Sequence, residues 1–410
     1  MIVLDAAGFR QGVRDRLSRS ESAGAGEARR DLPGAVAHLR SGGKAVRAAC
    51  ARMVAGVFGA VPTADLAAFS EAVELLHLGT LIHDDILDEA KLRRGRPAVH
   101  VAYSTKVAVL AGDVAVSRAG AIIAALERPR LSGKFARVLE ELCEGELLQD
   151  DHRWREDLTL AAYLDRVARK TGGLFELACE GAAALAGGAA GQVDQAARFG
   201  RELGVLFQVV DDLLDGAAPA DLGKPGGQDL AGGLLTLVPV LALGDPAAGP
   251  PLRRFLRDRP GSVPPDLAAA LGAPLLVARA GAALADLCDL ARGALAELRD
   301  PSGSDPADMR DHPGSDPADR RDHPASDPAD RRADPGNDPT DLHAHPASDP
   351  TDLHDHPASD PADRRAHPGD DPATPPGASG QGLADLIDTL HARGRGALAT
   401  LLAPGGTLVP

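Results

Sequence analysis

The chain has few aromatic side chains: Phe, Trp and Tyr make up 3% of its 410 residues, with a single Trp. Ala, Gly and Leu dominate instead, which disfavours sheets and favours close-packed helices. Cysteine is scarce too. Cys50, Cys143, Cys179 and Cys288 are far apart and form no CxxC pair. They read as reduced, small apolar residues in helices, in a cytoplasmic setting. An excess of basic charge is also missing. The formal net charge is −15, which argues against nucleic acid as a partner. No uninterrupted apolar stretch reaches the roughly 18 residues of a membrane span. Asp5 and Arg10 break the N-terminal run MIVLDAAGFRQGVRDRL, so it does not read as a signal peptide.

What is present is burial capacity and a strongly uneven charge. Apolar residues make up 44% of the chain, enough for one large core or two ordinary ones. Residues 304–369 hold 16 Asp against 7 Arg, which accounts for nine of the fifteen net negative charges.

The stretch LIHDDILDEAKLRRGRP, residues 81–97, carries Asp84, Asp85 and Asp88 behind an apolar run. On a helix, Asp84 and Asp88 sit one turn apart on one face. Carboxylates held there repel each other unless a cation lies between them. Magnesium suits such a site, because it prefers oxygen and keeps positions open for water and substrate phosphate. One DDxxD alone reads as a solvated acidic helix end. A second copy, Asp211, Asp212 and Asp215 in FQVVDDLLD, changes that. Two such triads, each ending an apolar helix, suggest metal ions clamped between facing helices.

Residues 4–18 read as an amphipathic helix and 20–31 as a loop. In LRSGGKAVRAACA, two glycines precede Lys44 and Arg47 at a helix start. That is a plausible anion site, although a glycine turn before surface cations is the commoner explanation. Ala64–Asp88 reads as one long central helix. His77 lies two turns before Asp84 on a similar face; satisfied core residue and ligand are equally good readings of it. Arg93 and Arg94 point in different directions, so they can hold two different anions or form a surface charge pair.

Helices follow from Val107, through EELCEGELLQD, and from Tyr163 to Gly187. In the last of these, Lys170 and Thr171 precede Gly172–Gly173, a break that opens a helix where a ligand or another backbone comes close. Phe199–Asp215 is the second central helix, with Gln208 one turn before Asp211. The following stretch, GAAPADLGKPGGQDLAGG with Lys224, is too rich in Gly and Pro to be helical. A helix resumes over 234–243, interrupted by Pro239, and 267–299 reads as a helical hairpin.

Residues 304–369 form six copies of an 11-residue repeat of the type SDPADRRDHPA. An 11-residue period can signal a right-handed coiled coil, but two prolines per repeat and almost no apolar residues exclude it. The segment reads as disordered with polyproline character. It holds 7 of the 13 histidines; a solvated spacer is a better reading than a metal site. Residues 383–402 recover one more amphipathic helix. The domain expectation is a helical bundle over 1–299, the low-complexity insertion over 300–380, and a terminal helix over 381–410 that returns to the bundle.

With both aspartate motifs, RRGRP after the first and GKPGGQDL after the second, the chain resembles the trans-type isoprenyl (polyprenyl) diphosphate synthases over roughly residues 30–300 and the last helix. The resemblance implies an all-α fold, a helical bundle around a deep central cavity, and a homodimer. It implies condensation of an allylic diphosphate with isopentenyl diphosphate, head to tail, with Mg2+. Carried over by motif, Asp84 and Asp88 are the main ligands of the first site with Asp85 supporting; Asp211 leads the second, helped through water by Asp212 and Asp215. Arg93 holds the allylic diphosphate. Gly43, Lys44, Arg47, His77 and Arg94 resemble the isopentenyl diphosphate pocket, Lys170, Thr171 and Gln208 flank the reacting carbon, and Lys224 is a further diphosphate-binding lysine. Peripheral membrane contact for product release stays open.

Two positions depart from the family pattern: GGKAVRA places Ala45 and Ala48 where an arginine and a proline are usual, and Leu234 stands where many members have lysine. For product length, the helix upstream of Asp84 is expected to line the tunnel. Gly79 and Thr80 leave it open, so a product beyond geranylgeranyl length is expected, and Gly79→Phe or Tyr is expected to shorten it. The rivals are a farnesyl or geranylgeranyl diphosphate synthase, a class I terpene cyclase, and a non-catalytic subunit of a heteromeric synthase. Lys44, Arg47, His77 and the second DDxxD speak against a cyclase, and the two intact triads speak against a silent subunit.

Overall fold

The computed structural model describes residues 45–60, 63–93, 95–217, 228–300 and 380–402. The N-terminal helix, Gly43, Lys44, Arg94, Lys224 and the repeat all lie outside them.

The described chain is helical apart from a two-residue ribbon. Helix α1 (Val46–Val57) follows Ala45, a non-glycine residue at φ 45°. Helix α2 (Ala64–Leu87) starts where the Thr63 hydroxyl accepts the Leu66 N–H at 3.1 Å, a side-chain cap for an otherwise unpaired donor. Strands β1 (Leu92–Arg93) and β2 (Arg96–Pro97) pair antiparallel around Gly95. After α3 (Val99–Ala102), the Ser104 hydroxyl caps α4 (Thr105–Ala125). Helix α5 (Pro129–Asp151) has proline in its first turn, where the missing N–H costs nothing.

The segment expected as one helix from Tyr163 is three pieces: α6 (Leu160–Val167), a π-helical turn (Ala168–Gly172) and α7 (Gly173–Leu185). Helix α8 (Ala190–Ala217) is the long second central helix. Within the Gly- and Pro-rich stretch a four-residue helix forms, α9 (Gln228–Ala231), a correction to its reading as all loop. Helix α10 (Leu237–Leu243) is not interrupted by Pro239. It starts late enough that the proline sits in its first turn, where no intrahelical N–H is needed. Helix α11 (Gly249–Asp258) follows. In place of a hairpin, α12 (Pro265–Leu271) and α13 (Pro274–Arg299) meet at a 51° bend. Helix α14 (Gly380–Leu402) closes the bundle.

Helix α2 packs along α4, and α8 packs against α7, α13 and α14. Leu76, Phe69, Phe175, Phe199 and Leu206 are fully buried between these layers. Both aspartate-bearing helices are therefore anchored by their apolar faces while their C-terminal ends are left at one side of the core. Cys50, Cys179 and Cys288 are buried; Cys143 is exposed.

Candidate active site

A cavity of about 1290 Å³ opens between the C-terminal halves of α2 and α8. Asp84 and Asp88 from α2 and its cap, and Asp211 and Asp212 from α8, all line it. So does Asp229 of α9, which the sequence reading missed because it sits in the stretch taken as loop. Asp215 does not line the cavity, but its charge reaches Asp229.

The electrostatics show that the two motifs share one site. Burial raises Asp229 to about 7, and the charges of Asp215, Asp212 and Asp88 add to the rise. Asp88 belongs to the first motif and the other two to the second, so Asp229 feels both. Burial also raises Asp84 to about 6, with Glu146 and Asp88 adding to it and Lys170 and Arg93 opposing. Crowded, partly desolvated carboxylates of this kind favour a neutralising cation.

Asp85 needs correction as a supporting ligand. It is fully buried, is absent from the cavity wall, and receives Arg93 Nε at 2.7 Å and Arg93 Nη2 on its Oδ1. Arg93 itself lines the cavity. The second aspartate of the motif thus points backward and fixes the arginine, as adjacent positions on a helix must diverge.

The second motif is bound into a chain of hydrogen bonds. Tyr163 Oη donates to Asp212 Oδ2 at 2.6 Å, and Gln208 Nε2 donates to Asp212 Oδ1 at 2.8 Å. Thr171 Oγ1 donates to Gln208 Oε1 at 2.7 Å. The carboxylate only accepts, so it fixes which end of the Gln208 amide faces Thr171. Burial raises Asp212 to about 6, against the lowering effect of these two donors.

Lys170 and Thr171 lie in the π-helical turn, a wider turn of the kind found at functional sites. Helix α5 passes close to it: a Cβ on Gly145 would lie 2.9 Å from Lys170 N. Lys170 Nζ reaches Glu146 Oε2 at 2.5 Å and Gln149 Oε1 at 3.1 Å. Both α5 residues line the cavity and carry no recognisable spacing in the sequence.

At the other wall, Arg47 is buried, lies over the Phe175 ring at 4.9 Å, and lines the cavity with His77. The start of α1 is not a set of open N–H donors. Glu74 Oε1 accepts the Ala48 N–H at 3.0 Å, so a carboxylate already occupies part of the expected anion site. Thr80 lines the cavity and donates to His77 O at 2.9 Å. Gly79 does not line it. A Cβ there would lie 2.7 Å from Val116 Cγ2 and 3.0 Å from Gly112 O, so this glycine serves the close approach of α2 and α4.

The donor set facing the cavity from Asp84, Asp88 and Asp211 is all oxygen, which fits a hard divalent cation. Among the described residues no group of three or more His, Cys, Asp or Glu converges to hold an ion alone.

A bundle of this kind, with two aspartate motifs turned on one cavity, defines an isoprenoid-type helical enzyme. Residues 31–265 match the polyprenyl synthetase family model, and the chain belongs to that family. It is 36% identical over 232 residues to component 2 of the heptaprenyl diphosphate synthase of Geobacillus stearothermophilus, covering 56% of this chain and 70% of that one. It is 37% identical over 210 residues to the short chain isoprenyl diphosphate synthase of Methanothermobacter thermautotrophicus, covering 50% of this chain and 64% of that one. The crystal structure of a decaprenyl diphosphate synthase from Rhodobacter capsulatus superposes with a TM-score of 0.59 at 29% identity, covering 72% of this chain and 92% of that one.

Proposed function

We propose that this prenyltransferase condenses an allylic diphosphate with isopentenyl diphosphate, head to tail, to give a long-chain trans-polyprenyl diphosphate, and that it uses Mg2+. The observation that carries the reading is the shared cavity of Asp84, Asp88, Asp211 and Asp229. Bound magnesium supplies neutralisation of the pyrophosphate that leaves as the allylic C–O bond ionises. Arg93, held by Asp85, grips the allylic diphosphate. Arg47 and His77 face the second diphosphate across the cavity. Lys170 stands beside the leaving group, and the Thr171 and Gln208 oxygens turn their dipoles to the passing allylic cation. The alkene of isopentenyl diphosphate then forms the new C–C bond, and its proton goes to the pyrophosphate.

A long product is supported by the cavity wall. Thr80, Val116 and Cys143 line it with small side chains, and the α2 positions facing it carry no Phe, Tyr or Trp. A homodimer is supported by α4. This apolar helix is long enough to cross a membrane, yet 39% of its most apolar window is buried, and Val109 and Leu110 are exposed. A second copy covering that face would remove it from water. The four cysteines are free, which suits a reducing, cytoplasmic setting. Labelled isopentenyl diphosphate, an allylic primer and Mg2+ test the reading on the purified chain. Asp84→Ala and Asp211→Ala are each expected to lose about 10²-fold or more of prenyl transfer. Retained turnover in either variant would refute it.

A further inference from the structure

Arg153 follows the end of α5 and reaches three acceptors at once. Its Nη2 lies 3.1 Å from Asp88 Oδ1, its Nε 3.2 Å from Asp150 Oδ1, and its Nη1 donates to Gly232 O at 3.2 Å. These acceptors come from three parts of the chain: the first aspartate motif, α5 itself, and the turn after α9. The turn is tied to the same segment by a second bond, Trp154 N–H to Gly233 O at 2.8 Å. The turn also follows directly on α9, which carries Asp229, and the Asp229 carbonyl accepts the Leu234 N–H at 2.8 Å. One guanidinium therefore links Asp88 to the turn that places Asp229. Its planar fork is what allows this, since separate N–H groups can address separate acceptors.

Asp88 Oδ1 is engaged by the Arg153 guanidinium, so a cation taking the same oxygen would compete with that partner. We propose that Arg153 is a positioning residue with two linked effects: it holds Asp88 until a divalent cation displaces it, and it keeps the Gly232 turn, with Asp229, at the cavity mouth. With Asp88 taken by a cation, Arg153 would keep Asp150 and Gly232 O, and its released Nη2 N–H groups would be open to the diphosphate. The inference rests on the reading of Asp88 as a metal ligand.

The test uses the full chain with inorganic pyrophosphate. Mn2+ is titrated in place of magnesium and its binding followed by electron paramagnetic resonance. In parallel, Mg2+ is titrated and the emission of Trp154, the one tryptophan of the chain and next to Arg153, is recorded. Arg153→Gln removes the competitor, so Mn2+ binding should tighten by roughly two- to fivefold, the range a half-exposed ion pair can supply. The Mg2+-dependent change in Trp154 emission should be lost, and kcat should fall while metal affinity rises. Arg153→Lys should keep near wild-type Mn2+ affinity but lose kcat as well, because a single ammonium lacks the separate Nη1 and Nη2 that reach Gly232 O and Asp88. It also serves as the probe if the Gln variant does not fold. Unchanged Mn2+ affinity in Arg153→Gln, with a wild-type emission response, would overturn the proposal. Asp88→Asn separates the two levels. If it weakens Mn2+ binding while Arg153→Gln has no effect, only this inference fails; if it leaves Mn2+ binding unchanged, the metal-site reading fails with it.

Discussion

Arg93 Nε donates to Asp85 Oδ1 at 2.7 Å, and the carboxylate that receives it is buried beneath the cavity wall. The three aspartates of one sequence motif thus do two kinds of work: Asp84 and Asp88 face the cavity, while Asp85 orients a cation that does. Asp85→Asn weakens a charge-assisted hydrogen bond worth about 2 kcal/mol. The expected result is a higher KM for the allylic diphosphate and a lower melting temperature, with Mn2+ affinity unchanged. A loss of Mn2+ affinity instead would return Asp85 to the ligand set. Steady-state kinetics and the Mn2+ titration distinguish the two outcomes.

The raised acids fix the sign of a pH effect. Asp84 and Asp212 move up to about 6 and Asp229 to about 7, each chiefly through burial, from an ordinary value of 3.8. A raised folded-state value means the folded chain holds the proton more tightly than the unfolded chain. That contribution to stability is fully present below about pH 4 and is lost as pH rises through 6 to 7. The metal-free chain should therefore lose stability across that window. Asp229→Asn should flatten the slope, leaving the variant more stable than wild type at pH 8. Saturating Mg2+ should flatten it in the wild type. Thermal melts at pH 5, 6, 7 and 8 measure this, and a slope unaffected by both changes would contradict it.

Much of the site is legible in the sequence, because it is local. The Asp84–Asp88 and Asp211–Asp215 spacings each lie on one helix end, and the apolar periodicity around them marks α2 and α8. Arg153, Glu146 and Tyr163 are different, and Asp229 shows in the sequence only as part of GKPGGQDL. Each reaches the site from a separate element, as a single residue with no repeat to mark it. Their roles depend on how α5, α6 and the turn after α9 fold back on the aspartate motifs. The π-helical turn shows in sequence only as Gly172–Gly173, which signals a break without its geometry. Prolines mislead in the same way. Pro239 reads as an interruption, yet in the first turn of α10 it sits where a helix leaves N–H groups unpaired.

The close approach at Gly79 changes which substitution should shorten the product. A side chain there meets Val116 and the Gly112 carbonyl of α4 before it meets the cavity. Gly79→Phe should separate two packed helices, and overpacking of this kind costs about 1–3 kcal/mol. Thr80 faces the cavity directly. Thr80→Phe should shorten the prenyl chain with little loss of stability. Chromatography of the dephosphorylated products, with urea unfolding of both variants, separates the effects. Unchanged product length in Thr80→Phe would remove this residue from the tunnel wall.

The last prediction concerns the repeat. The described chain stops at Asp300, after α13, and resumes at Gly380, the first residue of α14. The two points are neighbours: a Cβ on Gly380 would lie 2.7 Å from Arg299 Nε. Farther along the pair, Arg292 Nη2 meets Asp388 Oδ1 at 2.8 Å, and Gly394 approaches Leu284. Leu383, Ile387 and Leu390 of α14 are buried against the bundle. A short connection can therefore join α13 to α14 without moving either. Deleting residues 304–369 should leave prenyl transfer and melting temperature close to those of the full chain. It also removes nine net negative charges, so the deleted chain should elute at lower salt from an anion exchanger. A collapse of turnover or solubility would mean that the repeat contributes to the folded bundle.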